Sequence, residues 1–278
     1  MNSLYRSAVG RDRIRRWCAG QLDAWPVPHQ RATVTAHGAS THAVTAGSGK
    51  PVVFVPGTNF NAAASLPLAT ALVSAGHSVT LLDVPGQPGL STDGRDISRG
   101  AMSWYGTWLD EAIHELHETP VTVMGHSFGA AIALSGRSPL IGARVLVSPA
   151  GMTRLRVTPR LLATSAAWYL RPTPDRSRRL LRAMMAPGAG QPREALVEWM
   201  TLVARHTRSS GAPSTVPPSS PEPCVFISGA RDAFLPPTRL ARAVRTRFDA
   251  VLHTVDDTGH LIVEERPDHL ADLLTPRT

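Results

Sequence analysis

The stretch VTVMGHSFGAAIAL, residues 121–134, decides the fold of this 278-residue chain. It begins as a short apolar strand, passes through Gly125-His126-Ser127-Phe128-Gly129, and continues into the small residues of a closely packed helix. A G-x-S-x-G sequence between a strand and a helix predicts a strained turn that projects the serine hydroxyl out of a sheet. A side chain at either glycine would collide with neighbouring backbone. Ser127 is therefore the candidate nucleophile.

Short β-branched runs and helix-compatible stretches alternate on both sides of this turn. The alternation predicts right-handed βαβ crossovers in a mostly parallel, doubly wound α/β sheet. The predicted strands are residues 52–55, 78–82, 121–124, 143–147, 224–228 and 250–255. The predicted helices are residues 65–75, 101–117, 127–135, 236–245 and 260–274. Residues 33–37 and 41–46, joined by a turn at Gly38–Ala39, are predicted to form an antiparallel pair at the sheet edge.

The alternation stops after Ser148. Residues 161–170, 176–185 and 194–205 are each compatible with a helix, and prolines separate them. Residues 209–223, rich in Ser and Pro, are predicted to be a return linker. A helical insertion between two strands is best explained as a cap over the carboxyl ends of the strands, where open α/β sheets bind ligands. We therefore predict a core of residues 1–150 and 214–278 and a helical cap of residues 151–213.

A nucleophilic serine needs a base, because its hydroxyl is hardly ionised at neutral pH. His260 follows the last predicted strand, which places it in a carboxyl-end loop on the same rim as Ser127. Asp232 follows the penultimate strand, where it would hold the imidazole tautomer and stabilise the imidazolium. Asp256 and Asp257 are alternatives to Asp232, but they lie so close to His260 along the chain that turn formation and capping are the expected roles.

The strand at residues 52–55 runs into Pro56-Gly57-Thr58-Asn59-Phe60-Asn61 at the same rim. The backbone N–H groups of Thr58, or alternatively Asn59, and of Phe128 are predicted to form an oxyanion hole for the substrate oxygen. The side chains predicted to line the substrate pocket are Phe60, His126, Trp168, Met184, Trp199 and Leu261. The apolar cap residues among them are equally compatible with packing of the cap onto the sheet.

The composition excludes several classes of protein. A hydrophobic content of 42% with 18% charged residues is typical of a folded globular protein. No apolar run is long enough to cross a bilayer, and basic residues interrupt the N-terminal segment where a signal peptide needs an apolar stretch, so we expect a cytoplasmic protein. The two cysteines lack metal-ligand spacing, and His114-Glu115-Leu116-His117 does not match H-E-x-x-H. We therefore expect no metal and no other cofactor.

The formal net charge of +8 lies in one segment. Residues 151–213 contain eleven arginines and three acidic residues, whereas the rest of the chain is neutral overall. One interpretation is that these arginines lie on solvated helix faces. The other is that the segment binds an anion: a carboxylated or phosphorylated acyl donor, an acidic carrier protein or membrane lipid. Nucleic acid is not an expected partner, because no recognition motif accompanies the charge.

Together these features resemble the α/β-hydrolase superfamily, in which the catalytic residues occur in the chain order Ser, Asp, His. More narrowly, the chain is similar to bacterial carboxylesterases with a helical cap. The narrower resemblance depends on an N-terminal helix leading to Trp25-Pro26-Val27-Pro28, on Thr41-His42, Pro56-Gly57-Thr58-Asn59 and Asp83-Val84-Pro85-Gly86, and on Glu198-Trp199-Met200 through Arg205-His206. Many relatives have His-Gly where this chain has Pro56–Gly57.

The resemblance implies an α/β-hydrolase fold and hydrolysis of a small-molecule carboxylic ester through an acyl-enzyme on Ser127. Two alternatives stay open. One is a thioesterase or acyltransferase that takes its acyl group from an anionic or carrier-bound donor recognised by the arginine-rich cap. The other is a non-catalytic, ligand-binding member of the fold. Epoxide hydrolases and dehalogenases are disfavoured, because those relatives have Asp where this chain has Ser127.

Overall fold

A computed structural model describes residues 3–94, 100–208 and 223–274 of the chain. These residues form one eight-stranded sheet. Its strands are β1 (His29–Ala36), β2 (Ala39–Ala46), β3 (Lys50–Val55), β4 (His77–Leu82), β5 (Val121–His126), β6 (Ile141–Val147), β7 (Cys224–Gly229) and β8 (Leu252–Val255). The strand order is β1-β2-β4-β3-β5-β6-β7-β8, with β2 antiparallel to both β1 and β4 and all other pairs parallel. The prediction of a mostly parallel α/β sheet is confirmed.

Both faces of the sheet are covered, which is why its central strands are apolar at consecutive positions. In β3, Val52 and Phe54 pack into the hydrophobic core on one face, whereas Val53 and Val55 pack into the core on the other. This period of two follows from the alternation of Cβ directions along a strand. The central strands are thereby fixed between two helical layers, and their carboxyl ends form one rim.

The helices fall into two layers and an inserted group. Helices α1 (Ala8–Asp23), α2 (Leu66–Ser74), α9 (Ile262–Glu265) and α10 (Pro267–Asp272) pack on one face, and α3 (Ala101–Leu116), α4 (Phe128–Ser135) and α8 (Pro237–Phe248) pack on the other. The inserted helices are α5 (Pro159–Leu170), α6 (Pro174–Met184) and α7 (Glu194–His206). Within the described residues, no helix combines the length and the apolar character needed to cross a bilayer.

The inserted helices α5 to α7 lie between β6 and β7 in the chain, as predicted. Thr158 caps α5 and Thr173 caps α6, and each threonine side chain accepts a backbone N–H of the first turn. A proline follows each threonine, and its fixed φ is preorganised for the first helical turn. Helix α7 also packs against α1, where the rings of Trp17 and Trp199 are 4.7 Å apart. The division into a core and a separate cap stays a prediction, and the predicted linker lies almost wholly outside the described residues.

Two local predictions are wrong. The turn between β1 and β2 consists of His37 and Gly38, one residue earlier than predicted, with φ of 47° and 72°. A two-residue hairpin of this kind requires positive φ at both central positions, so the glycine takes the second position and His37 leaves the strand. Residues 260–274 form two short helices instead of one, because Pro267 cannot continue a helix and starts a new one.

Candidate active site

Ser127 lies in a strained turn between β5 and α4. Its φ of 51° is in the left-handed region, which non-glycine residues rarely adopt. The surrounding backbone holds this conformation: the Ser127 N–H donates to the carbonyl of Val147 at 2.9 Å, and the Ser127 carbonyl accepts from the N–H of Ala150 at 3.1 Å. The side chain remains partly exposed. The turn therefore presents a hydroxyl at the carboxyl rim of the sheet, as predicted from the sequence.

The two glycines that flank this turn are sterically required. A Cβ atom at Gly125 would lie 2.4 Å from the carbonyl oxygen of Gly129, and a Cβ atom at Gly129 would lie 1.9 Å from the carbonyl oxygen of Val55. Both contacts are with backbone, which cannot move aside as a flexible side chain would. The glycines thus allow α4 to pack closely on β3 and β5.

Three side chains from separate strand ends form a continuous hydrogen-bonded chain. The Nε2 atom of His260 lies 3.1 Å from Ser127 Oγ, and the Nδ1 atom of His260 lies 2.8 Å from Asp232 Oδ2. His260 and Asp232 are each only 5% exposed. With its proton on Nδ1, the imidazole donates to the carboxylate and leaves Nε2 free to accept the serine proton. The structure brings together the three residues that the sequence singled out.

The carboxylate of Asp232 is held by several donors. Its Oδ1 atom accepts the backbone N–H groups of Phe234 and Leu235, both at 2.9 Å. Burial raises the pKa of this carboxyl, but the charge of His260 and the hydrogen bonds from His260 and Leu235 outweigh burial and lower the pKa overall. Asp256 and Asp257, the sequence alternatives, have exposed side chains. Asp232, not either of these, contacts the imidazole.

Among the described residues, nothing accepts a hydrogen bond from the N–H groups of the two expected oxyanion donors. In the described part of the chain, the backbone N–H groups of Thr58 and Phe128 donate no hydrogen bond. The Asn59 N–H, the alternative donor, is used by the side-chain oxygen of Gln87 at 2.9 Å. The prediction for Asn59 is therefore wrong, because its N–H has an internal acceptor. Asn59 has a φ of 65° and shapes the loop after β3.

His126 lies beneath His260 and supports it. It is 2% exposed, and its Nε2 atom is 2.9 Å from the carbonyl oxygen of His260. Burial and the nearby charge of His260 lower the pKa of His126 to about 3. The neutral imidazole therefore donates its Nε2–H to that carbonyl. We correct the expectation that His126 contacts substrate, because the side chain is buried and its Nε2–H donates to the His260 carbonyl.

Four other predicted pocket residues are packing residues in this structure. Trp199 is fully buried and donates its indole N–H to the carbonyl of Asn59 at 2.8 Å. Trp168 is buried and donates to the carbonyl of Met200 at 3.1 Å. Phe60 and Leu261 are buried in the same core. These contacts favour the packing interpretation over pocket lining, and the Trp199 hydrogen bond joins α7 to the loop after β3.

Met184 is partly exposed and close to the hydrogen-bonded chain. Its carbonyl oxygen accepts the backbone N–H of His260 at 2.7 Å. The C-terminal end of α6 is thereby attached to the loop that carries the imidazole. That the Met184 side chain contacts substrate stays a prediction.

Sequence reasoning missed three residues that shape this site. The ring of Phe234 is partly exposed and lies 5.0 Å from the His260 ring. Glu265 accepts the backbone N–H groups of Gly259 and Ala186, both at 2.9 Å, and so joins the His260 loop to the segment after α6. Gln87 holds the loop after β3. Phe234 was detectable from its place two residues after Asp232, whereas Glu265 and Gln87 have no local sequence signal.

Comparisons with known proteins agree with this architecture. The family model described as the alpha/beta hydrolase family matches residues 52–273. The carboxylesterase CesB of Bacillus subtilis superposes with a TM-score of 0.78 at 14% identity, covering 96% of this chain and 97% of its own. The naproxen esterase of Bacillus subtilis gives 0.77 at 15% identity, with coverages of 97% and 98%. No curated protein matches the sequence significantly.

A third similar structure is a hydrolase that is not named as an esterase. The meta-cleavage product hydrolase of Pseudomonas fluorescens IP01 gives a TM-score of 0.69 at 21% identity, covering 87% of this chain and 95% of its own. At these identities the superpositions show the fold alone. The family match, in contrast, includes every strand from β4 to β8, both glycine positions of the serine turn, and His260. The chain belongs to the alpha/beta hydrolase family.

Proposed function

We propose that the chain is a serine hydrolase that cleaves a small-molecule carboxylic ester through an acyl-enzyme on Ser127. The single observation that carries the proposal is the hydrogen-bonded chain from Ser127 Oγ through His260 to Asp232, with distances of 3.1 and 2.8 Å. Membership of the alpha/beta hydrolase family supports a hydrolytic reaction. Nucleophile, base and orienting acid in contact are what acyl transfer to a serine requires.

In the acylation step, Ser127 Oγ attacks the ester carbonyl carbon while its proton passes to His260 Nε2. The ionised carboxylate of Asp232 stabilises the imidazolium, and its lowered pKa keeps it ionised at neutral pH. The unpaired N–H groups of Thr58 and Phe128 are the proposed donors to the developing oxyanion; each such donor typically contributes about 3 kcal/mol. The tetrahedral intermediate collapses, and the leaving alcohol takes the proton from His260.

In the deacylation step, a water molecule attacks the acyl-enzyme and gives its proton to His260 Nε2. The second tetrahedral intermediate uses the same two N–H donors. Its collapse returns the proton to Ser127 Oγ and releases the carboxylic acid, so one ester and one water yield one acid and one alcohol. Water is the proposed acyl acceptor. A thioester would follow the same steps with a thiol as leaving group, and the basic inserted helices keep it as a second candidate substrate.

The experiment is labelling of the whole protein with a fluorophosphonate probe, followed by peptide mapping. The probe phosphonylates activated serines, so we expect one labelled peptide that contains Ser127. The Ser127→Ala variant should remain folded, take up no label and lose turnover of p-nitrophenyl butyrate. Ser135→Ala, at the end of the helix that follows Ser127, is the matched control and should label like wild type. Wild-type protein without label would favour the non-catalytic alternative, and equal labelling of Ser127→Ala would remove Ser127 as nucleophile.

A further inference from the structure

Five arginines surround one open cavity beside the site. The cavity has a volume of about 670 Å³ and lies between the inserted helices and the loop after β7. The arginines are Arg156 in the loop after β6, Arg160 on α5, Arg179 and Arg182 on α6, and Arg231 after β7. No acidic residue is among the described residues that line the cavity. Three separate stretches of the chain therefore bring positive charge to one place.

The arginines of α6 have distinct environments. Arg176 donates to the carbonyls of Ala167 and Arg171, which joins α6 to the end of α5. Arg178 forms ion pairs with Asp175 and Glu194. Arg179 and Arg182 line the cavity instead. Two of the four arginines on α6 therefore stabilise the inserted helices, and the other two face the cavity.

Within the described residues, the five cavity arginines have no internal counter-charge. Across residues 3–94, 100–208 and 223–274, none of them forms an ion pair with a carboxylate. Like charges around a concave surface repel one another and reinforce a positive potential inside it. Guanidinium groups bind phosphate in a bidentate manner, through two parallel N–H donors. A group with several negative charges would relieve the repulsion and contact several arginines at once.

The cavity adjoins the serine site at two points. Arg231 and Ala233, which line it, flank Asp232 in the chain. Met185, which also lines it, follows Met184, whose carbonyl accepts the N–H of His260. A ligand seated among the arginines therefore lies next to the segments that hold the acid and the base. This position suits one part of a substrate whose acyl group reaches Ser127.

We propose that the cavity binds a phosphate-bearing leaving group of the acyl donor that Ser127 attacks. The proposal rests on the proposed function, and adds that the preferred donor carries two or more negative charges remote from the acyl carbon. A compact polyanion fits the concave arrangement, because it meets arginines from three stretches of the chain together. When the donor is a thioester, hydrolysis consumes one water and yields the carboxylic acid and a free thiol that carries the phosphate groups elsewhere in the molecule.

Calorimetric titration with inorganic pyrophosphate at low ionic strength tests the cavity without any turnover. Wild type should bind one pyrophosphate saturably, and R179Q/R182Q should bind it at least tenfold more weakly. R171Q/R178Q is the matched control: it removes two positive charges from the inserted segment outside the cavity, and its affinity should stay within twofold of wild type. Equal affinity in all three proteins, or no saturable binding by wild type, would overturn the proposal.

A pair of thioesters tests the link to substrate. Butyryl-coenzyme A and S-butyryl-N-acetylcysteamine share the reacting thioester, and only the first carries phosphates. In wild type, KM for butyryl-coenzyme A should be at least tenfold lower than KM for the neutral compound. In R179Q/R182Q this ratio should approach one, whereas R171Q/R178Q should retain it. If wild type binds pyrophosphate in the titration but has equal KM values for the two thioesters, the cavity is not a substrate site.

Turnover of p-nitrophenyl butyrate distinguishes failure of the proposed function from failure of the cavity assignment. This neutral ester has no phosphate, so its Ser127-dependent hydrolysis tests the chemistry alone. Hydrolysis of the ester together with equal KM values for the two thioesters would contradict only the cavity. No turnover of the ester or of either thioester would contradict the proposed function, and with it the assignment of the cavity to a substrate.

Discussion

The Nε2 atom of His126 lies 2.9 Å from the backbone carbonyl oxygen of His260. The residue immediately before the proposed nucleophile thus supports the backbone of the residue that is proposed as its base. Burial and the nearby charge of His260 lower the pKa of His126 to about 3, so the imidazole that donates this hydrogen bond is neutral at neutral pH. His126 therefore links the geometry of the site to the pH dependence of folding.

The substitution His126→Gln should make folding less sensitive to acid. In wild type, His126 is neutral when folded, with a pKa of about 3, but takes a proton near its ordinary pKa of 6.5 when unfolded. The unfolded chain therefore binds an extra proton between these values, so stability falls as pH drops through this window, by up to about 1.4 kcal/mol per pH unit. Glutamine retains a donor near the Nε2 position and does not titrate. Urea unfolding from pH 4 to pH 7 measures the difference, and parallel pH profiles for the two proteins would contradict it.

The substitution Asp232→Asn should lower kcat for p-nitrophenyl butyrate by roughly 10⁴-fold while the protein stays folded. The amide lacks the negative charge that stabilises the imidazolium, and it favours the imidazole tautomer with the wrong nitrogen protonated. Asp256→Asn is the control, because Asp256 is a sequence alternative with an exposed side chain. Its kcat should stay within twofold of wild type. If Asp256→Asn has the larger effect, the orienting acid has been assigned to the wrong residue.

The substitution Gly129→Ala should destabilise the fold by about 3 kcal/mol, as overpacking against fixed atoms does. Its Cβ would lie 1.9 Å from the Val55 carbonyl oxygen. Gly20→Ala in α1 is the control, since no atom lies within 4 Å of its added Cβ. Alanine there should stabilise the helix by up to about 1 kcal/mol. The midpoints of urea unfolding measure both effects, and an unchanged midpoint for Gly129→Ala would refute the close packing of α4 on β3.

The substitution Glu265→Gln should reduce both stability and ester turnover. The carboxylate accepts two backbone N–H groups, from Gly259 and Ala186. In the variant, one N–H faces an amide donor instead of an acceptor, which costs about 1–3 kcal/mol. The loosened loop carries His260, so kcat should fall with stability. Glu115→Gln, on an exposed helix face, should change neither. Thermal unfolding and steady-state kinetics of wild type and the two variants measure these effects. If Glu265→Gln has the melting temperature and the kcat of wild type, Glu265 does not hold the loop.

The central part of the site was predictable because it follows from strand order. Ser127, Asp232 and His260 each lie in the turn or loop that follows a strand, and the carboxyl ends of parallel strands meet at one rim. Local turn chemistry was predicted less well. The hairpin turn shifted by one residue to His37–Gly38, since the pattern of apolar residues does not fix where positive φ falls.

The contacts that tune the site depend on tertiary packing and carry no local signal. The Gln87 side chain removes Asn59 from the possible oxyanion donors, although 28 positions separate the two residues. Trp168 and Trp199 were expected near substrate, yet their indole N–H groups bind backbone carbonyls in the core. Sequence shows that a helix is apolar, but the packing partner of each face is decided by how the inserted helices meet the sheet.

The most direct test of the account is the mass of the protein trapped during turnover. Wild-type protein is mixed with p-nitrophenyl butyrate, quenched with acid within milliseconds, and analysed as intact protein and as peptides. We predict a transient mass increase of one butyryl group, on the peptide that contains Ser127. The Ser127→Ala variant should never show it. Turnover of the ester without any acylated protein, or with the acyl group on another residue, would contradict the central claim.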